Sequence, residues 1–373
     1  MNGSPLTNAE LIANDPGGII ALKGVLIFAA CVVLTILAIW GERRIVAFMQ
    51  VRKGPNRVGP FGILQGLVDG VKIALKEDLI PAAADRVVFI IAPIISATTC
   101  FMAFAVFPMS GKVNLFGHET AMQLTDLPVG VLYVLSIASV GVYGIVLAGW
   151  SSGSKYPLLG GVRASAQMIS YEAAMGLALV PVILYSGSLS LVDIVNSQKG
   201  TLSSNIPVLD TIVGLIPQWN IFPQFIAFGI FFIAAVAEVN RAPFDLVEAE
   251  QELVGGFHTE YSGFRFAMFF LAEYINMFNM CAITATFFLG GWLGPTFEGI
   301  APPFISAIMP IIWLGVKTFA LLFVFVWIRA TLPRLRYDQL MELGWKRLIP
   351  ISLVWLILSA VVLGVREFGL PWS

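Results

Sequence analysis

Charged residues are scarce in this sequence. Asp, Glu, Lys and Arg make up 12% of the 373 residues, whereas soluble globular proteins carry about 25%. A soluble fold needs enough polar surface to cover its core, and this chain does not have it. The formal net charge of −1 provides no basic field for the phosphates of a nucleic acid. The composition therefore excludes a cytosolic enzyme, a disordered protein and a nucleic-acid binder.

Cysteine and histidine are too few and too scattered to indicate a metal centre. Cys31, Cys100 and Cys281 each lie alone in an apolar run, without CxxC or zinc-like spacing. An iron–sulfur cluster or a structural zinc ion usually needs four ligands. His118 and His258 are too far apart in the sequence to indicate axial haem ligands, and neither a GxGxxG pattern nor a P-loop occurs. We therefore expect no tightly bound redox cofactor in this chain.

Long apolar runs dominate what is present, since 58% of the residues are hydrophobic. Runs of roughly 17–25 such residues are long enough to cross a bilayer as helices, which satisfy their own backbone hydrogen bonds in lipid. The sequence predicts an all-α, polytopic membrane protein, with residues 1–373 forming a single transmembrane domain of about eight spans and additional interfacial amphipathic helices. The predicted spans cover residues 19–40, 87–108, 127–150, 164–185, 221–239, 266–289, 305–328 and 348–365. The fifth is the shortest and ends in polar residues.

The distribution of basic residues predicts the orientation. Of the 22 Lys and Arg residues, 17 lie in the connections after spans one, three, five and seven. Positively charged connections remain on the cytoplasmic side, so both termini should face away from the cytoplasm. Residues 1–18 contain no Lys or Arg, so we expect no secretory signal peptide.

The first cytoplasmic connection, residues 41–86, contains an amphipathic stretch from about residue 61 to residue 77. At a period of 3.6 residues, one narrow stripe of this stretch carries Gln65, Asp69, Lys72 and Lys76. This pattern is typical either of an anchor at the membrane interface or of a helix whose polar stripe faces a protein-lined cavity. The carboxylate of Asp69 among the lysines favours the cavity.

The cytoplasmic connection at residues 238–265 is unusually acidic. It contains six of the 23 carboxylates. If residues 247–257 are helical, Glu248 and Glu252 share a face and Glu250 points elsewhere. Crowded carboxylates repel one another, which raises the pKa of some members of such a cluster and allows proton exchange near neutral pH. A solvated acidic loop is the alternative, but apolar residues such as Phe244 and Leu253 alternate with the acids.

Three carboxylates lie within the predicted spans. Glu172 is in span four, Glu238 ends span five and Glu273 is in span six. A charge near the bilayer centre costs about 2.5–3.5 kcal/mol, so such groups usually face a polar interior and function there. They could form a water-linked proton path, or they could serve as structural ion pairs. Lys317, within span seven, requires either a carboxylate partner or a neighbouring subunit.

Two long segments carry a family resemblance: GILQGLVDGVK at residues 62–72 and RAPFDLVEAEQELVGG at residues 241–256. Together with shorter runs, they resemble the family of respiratory complex I membrane subunits known in mitochondria as subunit 1; the complex is the proton-pumping NADH:quinone oxidoreductase. The supporting runs are residues 54–60, 170–172, 271–274 and 336–341, and the resemblance covers about residues 20–365. One departure is Val247, where many bacterial members have proline.

The resemblance implies a membrane subunit of the bacterial inner membrane, at the junction of the hydrophilic arm and the pumping arm. Quinone is the implied substrate, and the subunit forms the entrance and lower wall of its chamber. Iron–sulfur clusters and FMN are implied in partner subunits, among them the iron–sulfur subunit and the quinone-site subunit of the hydrophilic arm; small membrane subunits are further partners. The implied quinone-binding residues are Glu42, Arg43, Asp69, Arg241, Phe244 and Asp245. The implied proton relay consists of Glu172, Glu238, Glu273, Glu248, Glu250 and Glu252.

Two other functions fit the residues less well. A stand-alone ion transporter would use intramembrane carboxylates, but this chain lacks repeated halves. The membrane subunit of a related hydrogenase-type complex would need no quinone. Partner proteins with flavin and iron–sulfur clusters, or with nickel, would distinguish these alternatives.

Overall fold

A computed structural model describes residues 8–115, 118–200, 217–246, 254–295 and 303–368. The described chain is mostly helical with almost no sheet, which confirms the predicted fold class. Its helices are α1 (Asn8–Ala13), α2 (Gly17–Met49), α3 (Gln65–Ala74), α4 (Arg86–Phe104), α5 (Gly130–Ser151), α6 (Lys155–Ser186), α7 (Leu191–Ser197), α8 (Phe225–Glu238), α9 (Gly263–Phe288), α10 (Pro303–Thr331), α11 (Tyr337–Glu342) and α12 (Ile349–Phe368). Short 3-10 turns lie at Pro60–Gly62 and Gly256–His258, and the π-helical turn Leu343–Leu348 joins α11 to α12.

Seven helical stretches in the described part of the chain are long and apolar enough to cross a membrane. They are α2, α4, α5, α6, α9, α10 and the continuous helix formed by α11 and α12. The predicted fifth span is α8, whose 14 residues extend only about 21 Å. A bilayer core is about 30 Å thick, so α8 alone does not cross it.

Buried amide side chains form hydrogen bonds with the irregular backbone that precedes the short helix α8 and with the helices around it. Backbone groups at membrane depth need protein partners because lipid offers none. The Asn220 side chain donates to the carbonyl of Phe287 at 2.9 Å, and Gln198 accepts from the Asn220 backbone at 3.2 Å. Gln224 accepts from the indole of Trp355 at 2.7 Å. The irregular segment before α8 is therefore hydrogen-bonded within the protein.

The helices of the bundle approach closely where small residues face one another. A Cβ atom at Gly149 on α5 would lie 2.5 Å from the carbonyl oxygen of Pro157 on α6, so only glycine permits this contact. Large apolar side chains on the outer faces, such as Val25 on α2 and Ile357 on α12, are exposed. The bundle thus has a packed interior and an apolar exterior, as a membrane protein requires.

Local sequence signals explain where several helices begin and end. Asp85 caps α4, because its side chain accepts from the backbone of Val87 at 3.1 Å and of Val88 at 3.3 Å. Gly187 ends α6 with φ of 67°, a left-handed conformation that glycine adopts without strain.

The amphipathic helix is shorter than the sequence pattern predicts. A helix-like stretch from residue 61 to residue 77 was expected, whereas α3 covers only Gln65–Ala74. Gly62 has φ of 79°, and a Cβ there would lie 2.4 Å from the carbonyl oxygen of Pro55. This close approach bends the chain at the 3-10 turn before α3 can begin.

A small antiparallel hairpin, β1 (Lys112–Leu115) and β2 (His118–Ala121), was not predicted. A buried polar cluster fastens it to the start of α2. Lys23 donates to Asp15 and to Thr120, each at 2.5 Å. The imidazole Nε2 of His118 lies 3.2 Å from the second oxygen of Asp15. Lys23 is therefore tolerated in an apolar helix because its charge is paired.

Candidate functional site: a charged cluster beside a polar cavity

Four elements contribute to a cluster of five polar side chains that is centred on Glu42, near the end of α2. The carboxylate is 7% exposed. It accepts hydrogen bonds from Arg241 at 3.4 Å, from the Tyr274 hydroxyl at 2.7 Å and from Arg329. Together with Glu273 these residues form what we call the Glu42 cluster. It joins α2, α9, α10 and the segment that follows α8.

Arg241 is the central cation of the Glu42 cluster. Its Nε lies 2.8 Å from Glu273 Oε1, and its guanidinium carbon lies 4.5 Å from the ring centroid of Tyr274. Burial lowers the pKa of Arg241, but the charges of Glu273 and Glu42 outweigh it and raise the pKa above its ordinary value. Arg241 therefore stays positive, and the two arginines balance the two carboxylates, as buried charges require.

One donor of Arg241 has no partner within the described residues. The side chain is 5% exposed, and its Nη2 atom is buried without a hydrogen bond. A buried donor of this kind usually has a protein, water or ligand partner in a working protein. This nitrogen is consequently a candidate contact for a bound molecule.

The other predicted quinone-binding residues form separate contacts. Arg43 pairs with Asp69 at 2.5 Å, and Gln65 donates to the same carboxylate at 2.9 Å. Gln65 and Asp69 of the predicted polar stripe are thus hydrogen-bonded within the protein, whereas Lys72 and Lys76 of the same stripe are exposed.

Asp245 and Phe244 lie close to Arg241 along the chain but face other neighbours. Asp245 pairs with Arg334 at 3.1 Å. Phe244 is buried, and its ring packs edge-on against Tyr171 with a centroid distance of 5.4 Å. The Phe244 carbonyl accepts from Gln167 at 2.8 Å.

A cavity with polar groups in its walls extends from the Glu42 cluster into the bundle. It encloses about 1020 Å³ of empty space, including the part open to its surroundings. Much of the lining is apolar, with Phe266, Phe269 and Phe270 among its walls. The polar side chains that line it are Ser96, Thr99, Glu238, Asn240, His258, Glu273, Asn276 and Asn279.

Glu238 is the most deeply buried acid of this cavity. It is 1% exposed, and neither carboxylate oxygen has a hydrogen-bond partner among the described residues. Ser96 Oγ and Asn279 Oδ1 in the same lining also lack partners there. Unpaired polar atoms that share a cavity are the groups that ordered water molecules usually satisfy.

Glu273 and Glu172, the other two predicted intramembrane acids, are placed differently with respect to this cavity. Glu273 lines the cavity and also pairs with Arg241, so it belongs to both the cavity and the Glu42 cluster. Glu172 does not line the cavity; it accepts a hydrogen bond from Ser139 on α5 and lies close enough to Glu238 for their charges to interact. Glu238 and Glu273 therefore share one cavity, whereas a path that includes Glu172 stays a prediction.

Glu248, Glu250 and Glu252 lie outside the described residues, and their arrangement stays a prediction. Only the end of the predicted helix at residues 247–257 can be compared. Residues 256–258 form a 3-10 turn, and Gly256 has φ of 59°, so the expected α-helix does not extend to Phe257.

Lys317 has no carboxylate partner among the residues that the structure describes. Its ammonium group donates to the backbone carbonyls of Leu289 at 2.6 Å, Gly291 at 2.9 Å and Leu293 at 2.5 Å. It also lies 4.5 Å from the ring centroid of Trp219. The carbonyls at the end of α9 carry partial negative charge, which explains a buried cation there without a carboxylate.

Sequence reasoning missed several side chains of this site. Arg329 and Tyr274 contact Glu42, but in the sequence Arg329 is one of 17 basic residues in the connections and Tyr274 is one residue of a run that matches the family. His258 was considered only as a haem ligand, although it lines the cavity. No group of three or more His, Cys, Asp or Glu residues that could hold a metal ion occurs among the residues that the structure describes.

Comparison with known proteins gives a consistent result over nearly the whole chain. Residues 22–360 match the family model described as NADH dehydrogenase. The chain is 51% identical over 366 residues to the NADH-quinone oxidoreductase H subunit of Streptomyces avermitilis, an alignment that covers 96% of this chain and 76% of that protein. It is 53% identical over 350 residues to the corresponding H subunit of Frankia casuarinae, covering 93% of this chain and 73% of that protein. The chain therefore belongs to the H subunit family of NADH-quinone oxidoreductase, whose members are membrane subunits of an oxidoreductase complex.

Proposed function

We propose that this chain forms the entrance and lower wall of a quinone chamber and carries the acidic path that couples quinone reduction to proton translocation. Reduction of a quinone to a quinol takes up two electrons and two protons. The electrons come from cofactors of partner subunits, whereas the acids of this chain supply and replace protons. The relatives are named as quinone oxidoreductase subunits, which agrees with a quinone substrate.

The Glu42 cluster supports the proposal that this chain forms a wall of the quinone chamber. Arg241 offers a buried, unpaired nitrogen that could donate to a carbonyl of the quinone headgroup. The exposed apolar side chains of α3, including Leu67 and Val71, offer a surface for an isoprenoid tail. An apolar site with a few convergent polar groups is what such a two-part molecule needs. Arg43 on α2 pairs with Asp69 on α3, and these two side chains would border the entrance.

The cavity beside the Glu42 cluster supports the proposal of an acidic path for protons, and one observation carries this proposal. Glu238 and Glu273 line the same cavity, and Glu273 is also paired with Arg241. An unpaired carboxylate is costly as an anion in a dry interior, so Glu238 is suited to take up and release a proton. Water in the cavity would connect the two acids, and Glu172 would continue the path.

The shared pairing of Arg241 suggests how the two functions are coupled. Reduction changes the charge at the headgroup, and Arg241 then shifts its interaction between the headgroup and Glu273. A weaker pairing favours protonation of Glu273, and the charge change spreads along the acids to Glu248, Glu250 and Glu252. Such a shift biases a rearrangement between two states.

The location follows from the family and the apolar helices, which indicate a multi-pass protein of the bacterial inner membrane. We propose further that the Glu42 cluster lies on the cytoplasmic side and that both termini lie on the opposite side. The partners would be other complex I subunits, including the iron–sulfur and quinone-site subunits of the hydrophilic arm and small membrane subunits.

Substitution of Glu238 tests the path in the assembled complex. Glu238→Gln keeps the shape of the side chain but removes the exchangeable proton. We expect quinone reduction and proton translocation to be lost, while electron transfer from NADH to an artificial acceptor is retained. Glu77→Gln, which removes an exposed acid outside the cavity, is the matched control and should behave as wild type. Normal quinone reduction and proton translocation in Glu238→Gln would refute the relay.

Photo-crosslinking with an azido-quinone tests the chamber separately. Labelled peptides should map to residues 62–77 or to residues 241–257, near α3 and the Glu42 cluster. Labelling confined to other parts of the chain would refute the chamber even if the relay is correct.

A further inference from the structure

Two adjoining cavities lie at the end of the bundle opposite the Glu42 cluster. They share one lining residue, Trp219. Leu289, which lines one of them, directly follows α9 and is 16 residues beyond Glu273 of that helix. This separation corresponds to about 24 Å along the helix axis. Neither cavity takes part in the proposed quinone or proton chemistry.

The first cavity has polar and apolar walls, and among the described residues that line it Arg366 is the one charged side chain. It encloses about 1050 Å³, including the space open to its surroundings, and is lined by Tyr185, Ser197, Gln218, Trp219, Asn220, Pro223, Leu363 and Arg366. Arg366 lies in the last turn of α12 and is exposed. Arg366, Tyr185 and Gln218, which line this one space, all carry hydrogen-bond donors. A guanidinium among neutral donors is suited to a phosphate oxygen.

The second cavity is apolar and elongated. It encloses about 760 Å³, including open space. One wall is a stripe of α10 from Trp313 to Val324 that includes Val316, Ala320 and Leu321. These residues recur at the three- and four-residue spacing of one helix face, and the stripe is about 16 Å long. It runs along a membrane-spanning helix, in the direction that an acyl chain takes in a bilayer.

Lys317 lies within the apolar stripe without making it polar. Its ammonium group is turned toward the carbonyls of Leu289, Gly291 and Leu293 and toward the Trp219 ring. The methylene groups of the side chain are therefore what Lys317 can offer to the cavity. Of the two charged side chains among the described residues that line these cavities, Arg366 is therefore the one available to an anionic group from the bilayer.

We propose that the two cavities form one binding site for an anionic phospholipid. The phosphate lies at Arg366 in the first of these two cavities. One acyl chain passes Trp219 and lies along the α10 stripe in the second. An interfacial indole between a cationic and an apolar compartment matches the boundary between headgroup and chain. The lipid would fasten α10 and α12 at the end of the bundle where α8 is too short to fill the membrane.

Photo-labelling of the purified complex tests the site. The probe is phosphatidylglycerol with a diazirine in one acyl chain, and the readout is labelling of a peptide that contains residues 313–324. Wild-type complex should be labelled at lower probe concentration than with a diacylglycerol probe that lacks the phosphate. Arg366→Gln should raise the half-saturating phosphatidylglycerol concentration roughly tenfold and abolish this preference.

Two further variants test whether the labelling depends on this site rather than on any change in an exposed arginine. Ala320→Trp fills the apolar stripe and should remove labelling while Arg366 is intact. Arg336→Gln removes an exposed arginine beyond the opposite end of the bundle, which pairs with Asp338 at 3.5 Å, and should leave labelling unchanged. Equal labelling by both probes, labelling that Arg366→Gln does not alter, or no labelling of residues 313–324 in wild type would overturn the proposal.

Discussion

The charge balance of the Glu42 cluster makes a quantitative prediction for Arg241→Gln. At the 2.8 Å separation of Arg241 from Glu273, an effective dielectric constant of about 20 gives an attraction of about 6 kcal/mol. Glu273 is 26% exposed, so solvent screens part of this attraction, and the desolvation of Arg241 offsets more of it. We expect a net coupling of about 3 kcal/mol between the two side chains.

A double-mutant cycle measures this coupling. The variants are Arg241→Gln, Glu273→Gln and the combination of both, and the assay is unfolding of the solubilised protein by increasing mole fractions of SDS. Each single substitution leaves one charge of the Glu42 cluster unbalanced, whereas the double substitution restores neutrality. The double variant should therefore be more stable than Arg241→Gln alone.

A matched pair on the same side of the molecule serves as control. Lys346 pairs with Glu342 at 3.2 Å, and both side chains are exposed, at 74% and 52%, so Lys346→Gln should cost about 1 kcal/mol or less. Strictly additive effects of Arg241→Gln and Glu273→Gln, or equal losses in Arg241→Gln and Lys346→Gln, would refute the argument from charge balance.

Three further substitutions test other parts of the structure. Asp15→Asn leaves buried Lys23 without its anion and should raise hydrogen–deuterium exchange of residues 112–121, at an expected cost of about 3 kcal/mol. In wild type, burial would raise the pKa of Asp15, but hydrogen bonds from Lys23 and Thr120 and the Lys23 charge lower it. A lowered carboxyl pKa stabilises the fold above its ordinary value of about 4, so protection should be lost only as pH falls below it. Tyr274→Phe keeps the ring but removes the 2.7 Å bond to Glu42, and should lower the SDS unfolding free energy by about 1.5–3 kcal/mol. Lys317→Met leaves three carbonyls without their donor and should cost about 2–4 kcal/mol in the same assay.

Each of these predictions has an outcome that contradicts it. Unchanged exchange of residues 112–121 in Asp15→Asn would mean that the hairpin is not fastened through Lys23. Tyr274→Phe with wild-type stability would mean that the hydroxyl contributes nothing to Glu42. Lys317→Met should retain quinone reduction in the protein that folds, because Lys317 is far from the Glu42 cluster; a selective loss of that activity would contradict a structural role.

The sequence predicts the helical membrane fold well because the signal is local. Apolar runs of sufficient length mark the helices, and seven of the eight predicted spans are long helices in the structure. The length of α8 is not a local property. Its irregular N-terminal side depends on Gln198 and Asn220, together with the carbonyl of Phe287, and these residues lie far apart in the sequence.

The acidic residues of the candidate site were predictable from the sequence, but the residues with which the charged groups pair were not. Glu238 and Glu273 are conspicuous because carboxylates are rare in apolar helices. Arg329, by contrast, looks like one of many basic residues at a helix end, and only the packing of α10 against α2 brings it to Glu42. The partners of Lys317 are backbone carbonyls, which carry no sequence signal at all.

Infrared difference spectroscopy of the complex tests the central claim most directly. The measurement compares spectra before and after reduction of the bound quinone, with Glu238→Gln as the reference for band assignment. We predict a carboxyl C=O band that changes on quinone reduction, shifts in D₂O and is absent in Glu238→Gln. An identical difference spectrum in wild type and Glu238→Gln would show that Glu238 does not change its protonation when the quinone is reduced, and would contradict the proposed coupling.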